Sequence, residues 1–369
     1  TYPFGNSNNP LKVPNASLGA MPAVDRTWET IETYNAGIDF ATLNNRLNGT
    51  FDYFIKDNKN MFYAEEFPTI LGTSAPSING AHVRTNGWEL TLNWKDKIGK
   101  VGYRIGFNLS DNKTKVISLS DSRNPGHGLM GFVEGYPTNS FFIYEFDGFI
   151  KDEADLADYK AKMKGGVPTN LRVGDAKYID KDGDGVLEPT LYKEGDPNSG
   201  DIVYKGTNNQ RYLYGINLGL DWKGIDVSVF LQGVGKWDCI NGTYAGGGEV
   251  WKQSSQYFYH NTWSPDRPNA EYPRLTQDGG IHGYNYQWSD APYKFFNNRY
   301  LRLKEVQIGY TFPTTLTKKI GVEKLRVYAT GMNLLEWDNL PNGFDPEAPY
   351  TENLIPFSRT YSIGVNVQF

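Results

Sequence analysis

Hydrophobic and polar residues alternate with a period of two along most of the chain. The alternation is clearest at the end of the sequence, where polar or small residues separate a stripe of apolar ones: Tyr361, Ile363, Val365, Val367 and Phe369. Successive side chains of a β-strand point to opposite faces, so this segment is predicted to be a strand with one apolar face. Eight further segments follow the same pattern, at 34–40, 47–55, 88–94, 101–109, 212–222, 225–231, 306–312 and 325–333. The sequence therefore predicts nine amphipathic strands.

The connections between these strands alternate strictly between short and long. Short connections lie at 43–45, 96–100, 223–224 and 313–322, and long ones at 61–82, 112–210, 235–299 and 335–358. Bacterial outer-membrane barrels have short periplasmic turns and longer extracellular loops. We therefore predict an all-β fold, part of a transmembrane antiparallel β-barrel, with nine spanning strands. Its long extracellular loops include 113–210 and 235–298.

Strand length and aromatic placement favour this fold over a soluble β-sandwich, whose strands also alternate. The segments have about 10 residues or more, near the 9–11 that a tilted transmembrane strand needs, whereas soluble strands usually have about 5–6. Trp94, Trp222 and Phe312 lie at strand ends beside short turns. The aromatic girdle of a membrane barrel is found at such positions.

Two segments inside the longest loop are predicted to be ordered. Residues 141–150 resemble a strand, but counting them as spanning would break the alternation of short and long connections, so they are assigned to the external loop. Residues 152–163 are predicted to form a short amphipathic helix. A bacterial single-chain barrel has an even number of strands. We therefore expect the strands that complete the barrel to come from an upstream segment or a separate chain.

Composition excludes several classes of protein. The net charge is −5 without an obvious Lys/Arg cluster along the sequence, which argues against a nucleic-acid partner. The mean hydropathy is −0.55, and no stretch approaches the roughly 20 apolar residues of a membrane helix. Cys239 is the only cysteine, so an internal disulfide or a cysteine-based zinc site is excluded.

An acidic, glycine-rich stretch predicts a calcium site. Asp residues at positions 1, 3 and 5, glycine at 6 and a backbone carbonyl at 7 provide oxygen ligands in an EF-hand loop. The corresponding candidate ligands here are Asp180, Asp182, Asp184, the carbonyl of Val186, and Glu188. Position 12 departs from the pattern because it is Leu191 rather than Glu. The predicted role of Ca²⁺ is structural, and the alternative is a solvated turn rich in Asp and Gly.

Other candidate chemistry is sparse. The four histidines are scattered without metal-ligand spacing, and the sequence contains neither a nucleophile elbow nor a phosphate-binding loop. No enzymatic activity is therefore predicted. One long loop is rich in aromatic residues that could stack on sugar rings, namely Trp237, Trp251, Tyr257, Tyr259 and Trp263. The alternative is that these rings only pack the loop.

Several stretches together carry a family resemblance. They are EGYPTNSFF (134–142), GDAKYIDKDGDG (174–185), YGINLGLDWKGIDVSVFLQGVG (214–235), YLRLKEVQIGYTFP (300–313), LRVYATGMNLLEW (325–337), GFDPE (343–347) and RTYSIGVNVQF (359–369). With these, the chain resembles the C-terminal barrel portion of the SusC/RagA-type TonB-dependent transporters of Bacteroidetes.

The resemblance implies a bacterial outer-membrane barrel of about 22 strands with a plugged lumen. It also implies a plug domain that contacts TonB; this domain is absent from the sequence and expected upstream. A SusD-like lipoprotein is expected to cover the external loops as a lid. The aromatic candidates above would then contact substrate or lid. It also implies that the final strand, the apolar stripe ending at Phe369, is the signal for barrel assembly.

The function expected from the sequence is TonB-dependent import of an oligomeric nutrient across the outer membrane, with a SusD-like partner and outer-membrane lipid around the barrel. The expected substrate is an oligosaccharide rather than a peptide. Two alternatives stay open: a soluble or surface-attached, calcium-stabilised glycan-binding β protein, and a secreted glycoside hydrolase.

Overall fold

A computed structural model describes most of the chain. The described residues are 3–4, 11–12, 26–64, 76–120, 125–240, 260–340, 345–347 and 357–369. In chain order the strands are β1 (Pro3–Phe4), β2 (Leu11–Lys12), β3 (Thr30–Thr42), β4 (Leu47–Ala64), β5 (Ser77–Ile98), β6 (Val101–Leu119), β7 (Gly128–Met130), β8 (Ser140–Tyr144), β9 (Phe146–Phe149), β10 (Ala176–Tyr178), β11 (Ile202–Thr207), β12 (Arg211–Trp222), β13 (Ile225–Lys236), β14 (Asp238–Ile240), β15 (Phe295–Asn297), β16 (Tyr300–Thr311), β17 (Lys324–Asp338) and β18 (Thr360–Gln368). The helices are α1 (Glu153–Lys162), α2 (Gly279–Asn285) and α3 (Thr314–Thr317), the last followed by a 3₁₀ turn at Lys318–Ile320.

The main sheet contains nine strands in the order β3-β4-β5-β6-β12-β13-β16-β17-β18. Each strand is antiparallel to its neighbours. Among these nine strands the spatial order is also the chain order, so the sheet is an up-and-down meander. The predicted nine strands and the predicted alternation of short and long connections are both confirmed. All short connections lie at one end of the sheet, and all long ones lie at the other.

The strands extend further toward the long connections than the alternation predicted. β5 has 22 residues and β6 has 19, and their ladder continues as far as the pair Ala81–Leu119. The long connection assigned to 112–210 therefore begins after Leu119. The pattern missed this extension because residues 111–115 are polar without a regular apolar stripe.

A tight turn between β12 and β13 illustrates how the short connections are built. Lys223 and Gly224 have φ angles of 48° and 88°, which is the left-handed pair of a two-residue type I′ hairpin. The twist of such a turn matches the right-handed twist of the two strands that it joins. The turn therefore fixes the register, in which Trp222 faces Ile225.

The largest hydrophobic core lies outside the main sheet. Residues 125–210 and 260–299, here called the outer subdomain, pack together at the end with the long connections. Their shared core includes Phe142, Tyr144, Ile150, Tyr178, Ile202, Ile281 and Tyr284. As predicted, residues 141–150 lie outside the main sheet, in β8 and β9. The predicted helix is α1, capped by the side chain of Asp152, which accepts from the backbone N–H of Asp155 at 2.8 Å.

No helix in the described part of the chain is both long enough and apolar enough to cross a membrane.

Candidate functional site

The apolar stripes of neighbouring strands join into a continuous face of the main sheet. One cross-strand row runs through Ile105, Leu218, Val229, Val306, Gly331 and Tyr361. The side chains are exposed: Leu218 is 39% exposed, Val365 60% and Ile363 82%. In a soluble sandwich such a face packs against a second sheet. In the described residues this face instead remains open.

The opposite face of the sheet is polar at its centre, where amides and hydroxyls lie beside the charged side chains of Glu89, Arg104 and Glu305. Its residues there include Thr91, Asn93, Asn108, Asn217, Ser228 and Gln232. A groove of about 550 Å³ lies on this face, and Asn108, Phe230 and Gln232 line part of it. Gly215 lies between the two amides, and a Cβ there would approach Oδ1 of Asn108 to 2.5 Å. The glycine therefore allows Asn108 to lie against the sheet, which keeps the groove open.

A charged cluster ties residues 345–347 to the polar face. Arg302 on β16 is only 1% exposed, and its Nη2 donates to Asp345 Oδ1 at 2.7 Å and to Glu336 Oε2 at 2.9 Å. Nζ of Lys304 lies 2.6 Å from Oε1 of Glu347. The sequence reasoning did not identify this cluster. The sequence signals for this cluster are the charged residues of YLRLKEV and of GFDPE, which lie about 40 residues apart. That the two stretches meet in space is a tertiary property, which a local pattern does not reveal.

The three aspartates of the acidic loop converge. Ligand oxygens of Asp180, Asp182 and Asp184 all lie within 4.8 Å of one another. Both carboxylate oxygens of Asp180 accept loop N–H groups, from Gly183 and Gly185, at 2.8 Å. This arrangement could present three carboxylates to one hard cation, as Ca²⁺ binding requires.

The other two predicted ligands have different surroundings. The backbone N–H of Val186 donates to Oδ1 of Asp184 at 2.6 Å, so the turn closes tightly at this residue. Glu188 is not in the group of converging carboxylates. Its backbone N–H donates to Oδ2 of Asp201 at 2.8 Å. The structure therefore brings together three of the five predicted ligands through their side chains.

Asp201 is a residue of this site that sequence reasoning missed. It is fully buried, and its carboxylate accepts the N–H groups of Lys181 at 2.5 Å and of Glu188 at 2.8 Å. It therefore clamps both ends of the acidic loop. Burial raises the pKa of Asp201, and the nearby charges of Asp180 and Asp182 add to that effect. No local pattern indicates the role of Asp201, because it lies 20 residues beyond Lys181.

A chain of ion pairs joins the acidic loop to the rest of the outer subdomain. Nζ of Lys181 lies 2.5 Å from Glu145 Oε2, and Nζ of Lys205 bridges Glu145 at 2.7 Å and Asp290 at 2.8 Å. Hydrogen bonds from Lys181 and Lys205 lower the pKa of Glu145. These ion pairs link the acidic loop to the residue between β8 and β9, to β11 and to the residues before β15.

The aromatic candidates do not form a stacking platform in the described residues. Trp237 is 8% exposed and packs with Val234 and Tyr300, while its indole N–H donates to Asn208 Oδ1 at 2.8 Å. Its burial favours the alternative that this ring packs the loop, and its assignment as a substrate or lid contact stays a prediction. Trp263 is half-buried, with its ring against Gly174. Trp251, Tyr257 and Tyr259 lie outside the described residues.

The final strand lies at one edge of the main sheet. β18 pairs with β17, with Val365 opposite Val327 and Tyr361 opposite Gly331, so the predicted pairing with residues 325–333 is confirmed. The carbonyl of Gln368 accepts the N–H of Glu323 at 2.8 Å. This contact places Phe369 at the end with the short connections. The assembly role of the stripe Tyr361, Ile363, Val365, Val367 and Phe369 stays a prediction.

Comparison with known proteins gives consistent matches. No protein-family model matches the chain. It is 26% identical to TonB-dependent receptor P3 of Formosa agariphila, covering 93% of this chain and 34% of the relative. It is 24% identical to TonB-dependent receptor SusC of Bacteroides thetaiotaomicron, covering 100% of this chain and 34% of the relative. The chain thus spans about a third of the length of these relatives.

Solved structures match the fold. The RagAB peptide transporter superposes with a TM-score of 0.69 at 21% identity, over 93% of this chain and 36% of the other. The RagAB peptide importer in its closed-closed state gives a TM-score of 0.72 at 22% identity, over 96% of this chain and 37% of the other. These relatives are receptors and transporters rather than enzymes. In sequence and in fold, the chain is similar to the barrel portion of the SusC/RagA-type TonB-dependent transporters.

Proposed function

We propose that the chain is the C-terminal part of an outer-membrane barrel that imports an oligomeric nutrient, an oligosaccharide rather than a peptide, in a TonB-dependent manner. The observation that carries this proposal is the open apolar face that continues across nine strands, opposite a polar face. In an outer-membrane barrel a lipid bilayer covers such an apolar face, and the polar face lines a lumen that holds water or a plug.

The height of the apolar face supports this insertion. On β12 the stripe runs from Tyr214 to Trp222, a span of about 26 Å at roughly 3.3 Å per residue. A tilt of about 40°, typical of barrel strands, projects this span onto about 20 Å, close to the apolar band of about 25 Å in outer-membrane barrels. The two terminal rings would lie near the interfaces.

The two edge strands support a larger barrel. Within the described residues, β3 and β18 each pair on one side only. Unpaired backbone groups in hydrocarbon cost several kcal/mol each. Membrane insertion therefore requires further strands, and the proposal assigns them to the remainder of a longer protein. The relatives, of which this chain covers about a third, have the length to supply them.

The groove on the polar face supports a hydroxyl-rich substrate. Amides such as Asn108, Asn217 and Gln232 both donate and accept hydrogen bonds, as sugar hydroxyls do. Phe230 adds a flat apolar surface beside them, which suits a sugar ring. These groups favour an oligosaccharide at this part of the wall, where the carboxylate of Glu89 in the same groove can accept further hydrogen bonds from sugar hydroxyls.

The outer subdomain supports the proposed partner and cation. Its compact core holds a surface at the extracellular end on which a SusD-like lipoprotein would lie as a lid, while TonB would act through the plug region of the longer protein. We further propose that Ca²⁺ binds Asp180, Asp182 and Asp184, which converge within 4.8 Å, and that it stiffens this surface without taking part in chemistry.

The rival functions fit less well. A soluble glycan-binding protein would leave Ile363, Val365 and their neighbours in water, although monomeric soluble proteins rarely expose apolar patches of more than a few hundred Å². The described residues also lack an enzymatic constellation, and the named relatives are not hydrolases.

Uptake by the full-length protein tests the proposal. Cells carrying it, with or without TonB, are supplied with labelled neutral oligosaccharides and labelled oligopeptides. We expect TonB-dependent accumulation of the oligosaccharide. A double variant, Asn108→Leu with Gln232→Leu, should lower uptake roughly tenfold or more, because two hydrogen bonds at about 1 kcal/mol each are lost. A matched control, Val227→Leu on the apolar face, should leave uptake unchanged.

Two results would contradict the proposal. Accumulation without TonB would reject the transport mechanism. Accumulation of peptides alone, unaffected by the double variant, would reject the substrate class and the role of the groove.

A further inference from the structure

Three short connections lie side by side at one end of the main sheet. They join β5 to β6 (residues 99–100), β12 to β13 (223–224) and β16 to β17 (312–323). Trp222 pairs with Val101, and the N–H of Thr311 donates to the carbonyl of Gly224 at 2.7 Å. These contacts make the three connections one continuous surface, here called the turn rim.

The turn rim is rich in exposed lysines without acidic partners. Lys100, Lys223, Lys318 and Lys319 are all exposed, and none of them forms an ion pair with any part of the chain that the structure describes. Nζ of Lys223 lies 5.2 Å from the centroid of the Trp222 ring. Since Trp222 belongs to the apolar face, this contact places Lys223 on the outer side of the sheet.

The charge of the whole chain is distributed unevenly between the two ends. The four short connections with their flanking residues (43–47, 95–101, 221–226 and 312–325) hold eight Lys/Arg and four Asp/Glu. The whole chain has a net charge of −5. The short-connection end therefore carries +4, and the rest of the chain carries −9.

Apolar side chains accompany these lysines. Ile98, Leu316 and Ile320 are 72%, 55% and 70% exposed. Ile98 ends β5, and the other two lie in the helical turn between β16 and β17. Exposed aliphatic residues next to lysines and a tryptophan are the combination found where a protein meets the headgroup region of a membrane.

We propose that the turn rim binds anionic glycerophospholipid headgroups of the membrane leaflet on the short-connection side. Lys100, Lys223, Lys318 and Lys319 contact the phosphates, while the aliphatic side chains enter the boundary between headgroups and acyl chains. Charge complementarity selects this occupant, and the apolar face that continues from the rim places it at the bilayer surface. The inference rests on the proposed membrane insertion.

Lipid retention by the full-length protein tests this inference. The detergent-solubilised protein is titrated with phosphatidylglycerol, phosphatidylcholine or lipid A, and bound lipid is counted by native mass spectrometry. The test variant carries Lys223→Gln, Lys318→Gln and Lys319→Gln. The matched control carries Lys151→Gln, Lys162→Gln and Lys193→Gln, three exposed lysines of the outer subdomain.

The wild-type protein should retain phosphatidylglycerol in preference to phosphatidylcholine. The test variant should bind phosphatidylglycerol at least tenfold more weakly, since each lysine near an anionic surface contributes roughly a fivefold change. The control should bind as the wild type does. Equal losses in both variants, or no preference between the two phospholipids, would overturn the inference. Rim-dependent binding of lipid A instead would assign the rim to the opposite leaflet. Absence of every bound lipid would overturn the inference, whereas the TonB-dependent uptake test above judges the proposed function separately.

Discussion

Replacing Leu218 with Arg should destabilise the inserted protein strongly. Leu218 lies on β12 between the terminal rings Tyr214 and Trp222 of its stripe. Its cross-strand neighbours are Ile105 and Val229, so an Arg there would be surrounded by apolar side chains and, in our account, lipid. Neither neighbour has a carboxylate that could pair with the guanidinium of the new Arg.

The expected cost follows from depth in the bilayer. Leu218 is four residues from Trp222, which corresponds to about 13 Å along the strand and about 10 Å along the normal at a tilt of about 40°. That position is near the centre of the apolar band, where Arg costs about 2–4 kcal/mol. Trp222→Arg, at the edge of the apolar band, should cost about 0–1 kcal/mol. Asn217→Arg, on the polar face, should cost less than about 1 kcal/mol.

The free energy of unfolding would be measured with the full-length protein in phospholipid vesicles, by guanidinium titration followed through tryptophan fluorescence. At a water-exposed site, Leu218→Arg should change stability by only about 0.5 kcal/mol. A change of that size, or equal costs for Leu218→Arg and Asn217→Arg, would refute the assignment of the apolar face to lipid.

Three further predictions concern other parts of the chain. Calcium should bind with oxygen ligands of Asp180, Asp182 and Asp184 at about 2.3–2.6 Å; a crystal structure from calcium-containing buffer in which this loop holds no ion would contradict this. Deleting Phe369 should lower the amount of protein assembled in the outer membrane far more than it lowers the stability of protein already inserted, because the exposed final strand is a template for strand addition; normal assembly levels by heat-modifiability would reject the role. Lys294 is buried, and burial lowers its pKa from 10.5 to about 8, so the unfolded state binds more protons between these values and stability should rise with pH across that window. Lys294→Met should therefore stabilise the outer subdomain at pH 7 by up to about 3 kcal/mol, measured by hydrogen exchange, and an unchanged pH dependence would contradict the argument.

The main sheet could be predicted from sequence because its determinants are local. Alternation assigns each side chain to a face, and the stripe from Tyr361 to Val367 is the same stripe that the structure leaves exposed. The Lys223–Gly224 turn could also be predicted, because a connection of two residues between two strands allows only a tight hairpin. Alternate short and long connections then determined which strands are neighbours.

Features that depend on distant residues could not be predicted. Arg302 and Asp345 meet across 43 residues, and the core of the outer subdomain joins residues such as Tyr178 and Tyr284, 106 apart. No periodic pattern links such pairs, since loop packing depends on shape rather than on a repeat. The burial of Trp237 could not be predicted for the same reason. A tryptophan suits stacking on a ligand, but whether its ring is buried is a tertiary property.

The central claim is that one face of the main sheet contacts lipid and the other does not. A nitroxide scan of residues 213–222 on β12 tests it directly, with the full-length protein in lipid vesicles and the buried Cys239 replaced by Ser. Collision rates with oxygen, which concentrates in hydrocarbon, and with a water-soluble nickel chelate are measured at each position. Our account predicts oxygen maxima at Ile216, Leu218 and Leu220, alternating with low values at Asn217 and Gly219. A scan without this period of two, or with the nickel chelate reaching Leu218 freely, would contradict it.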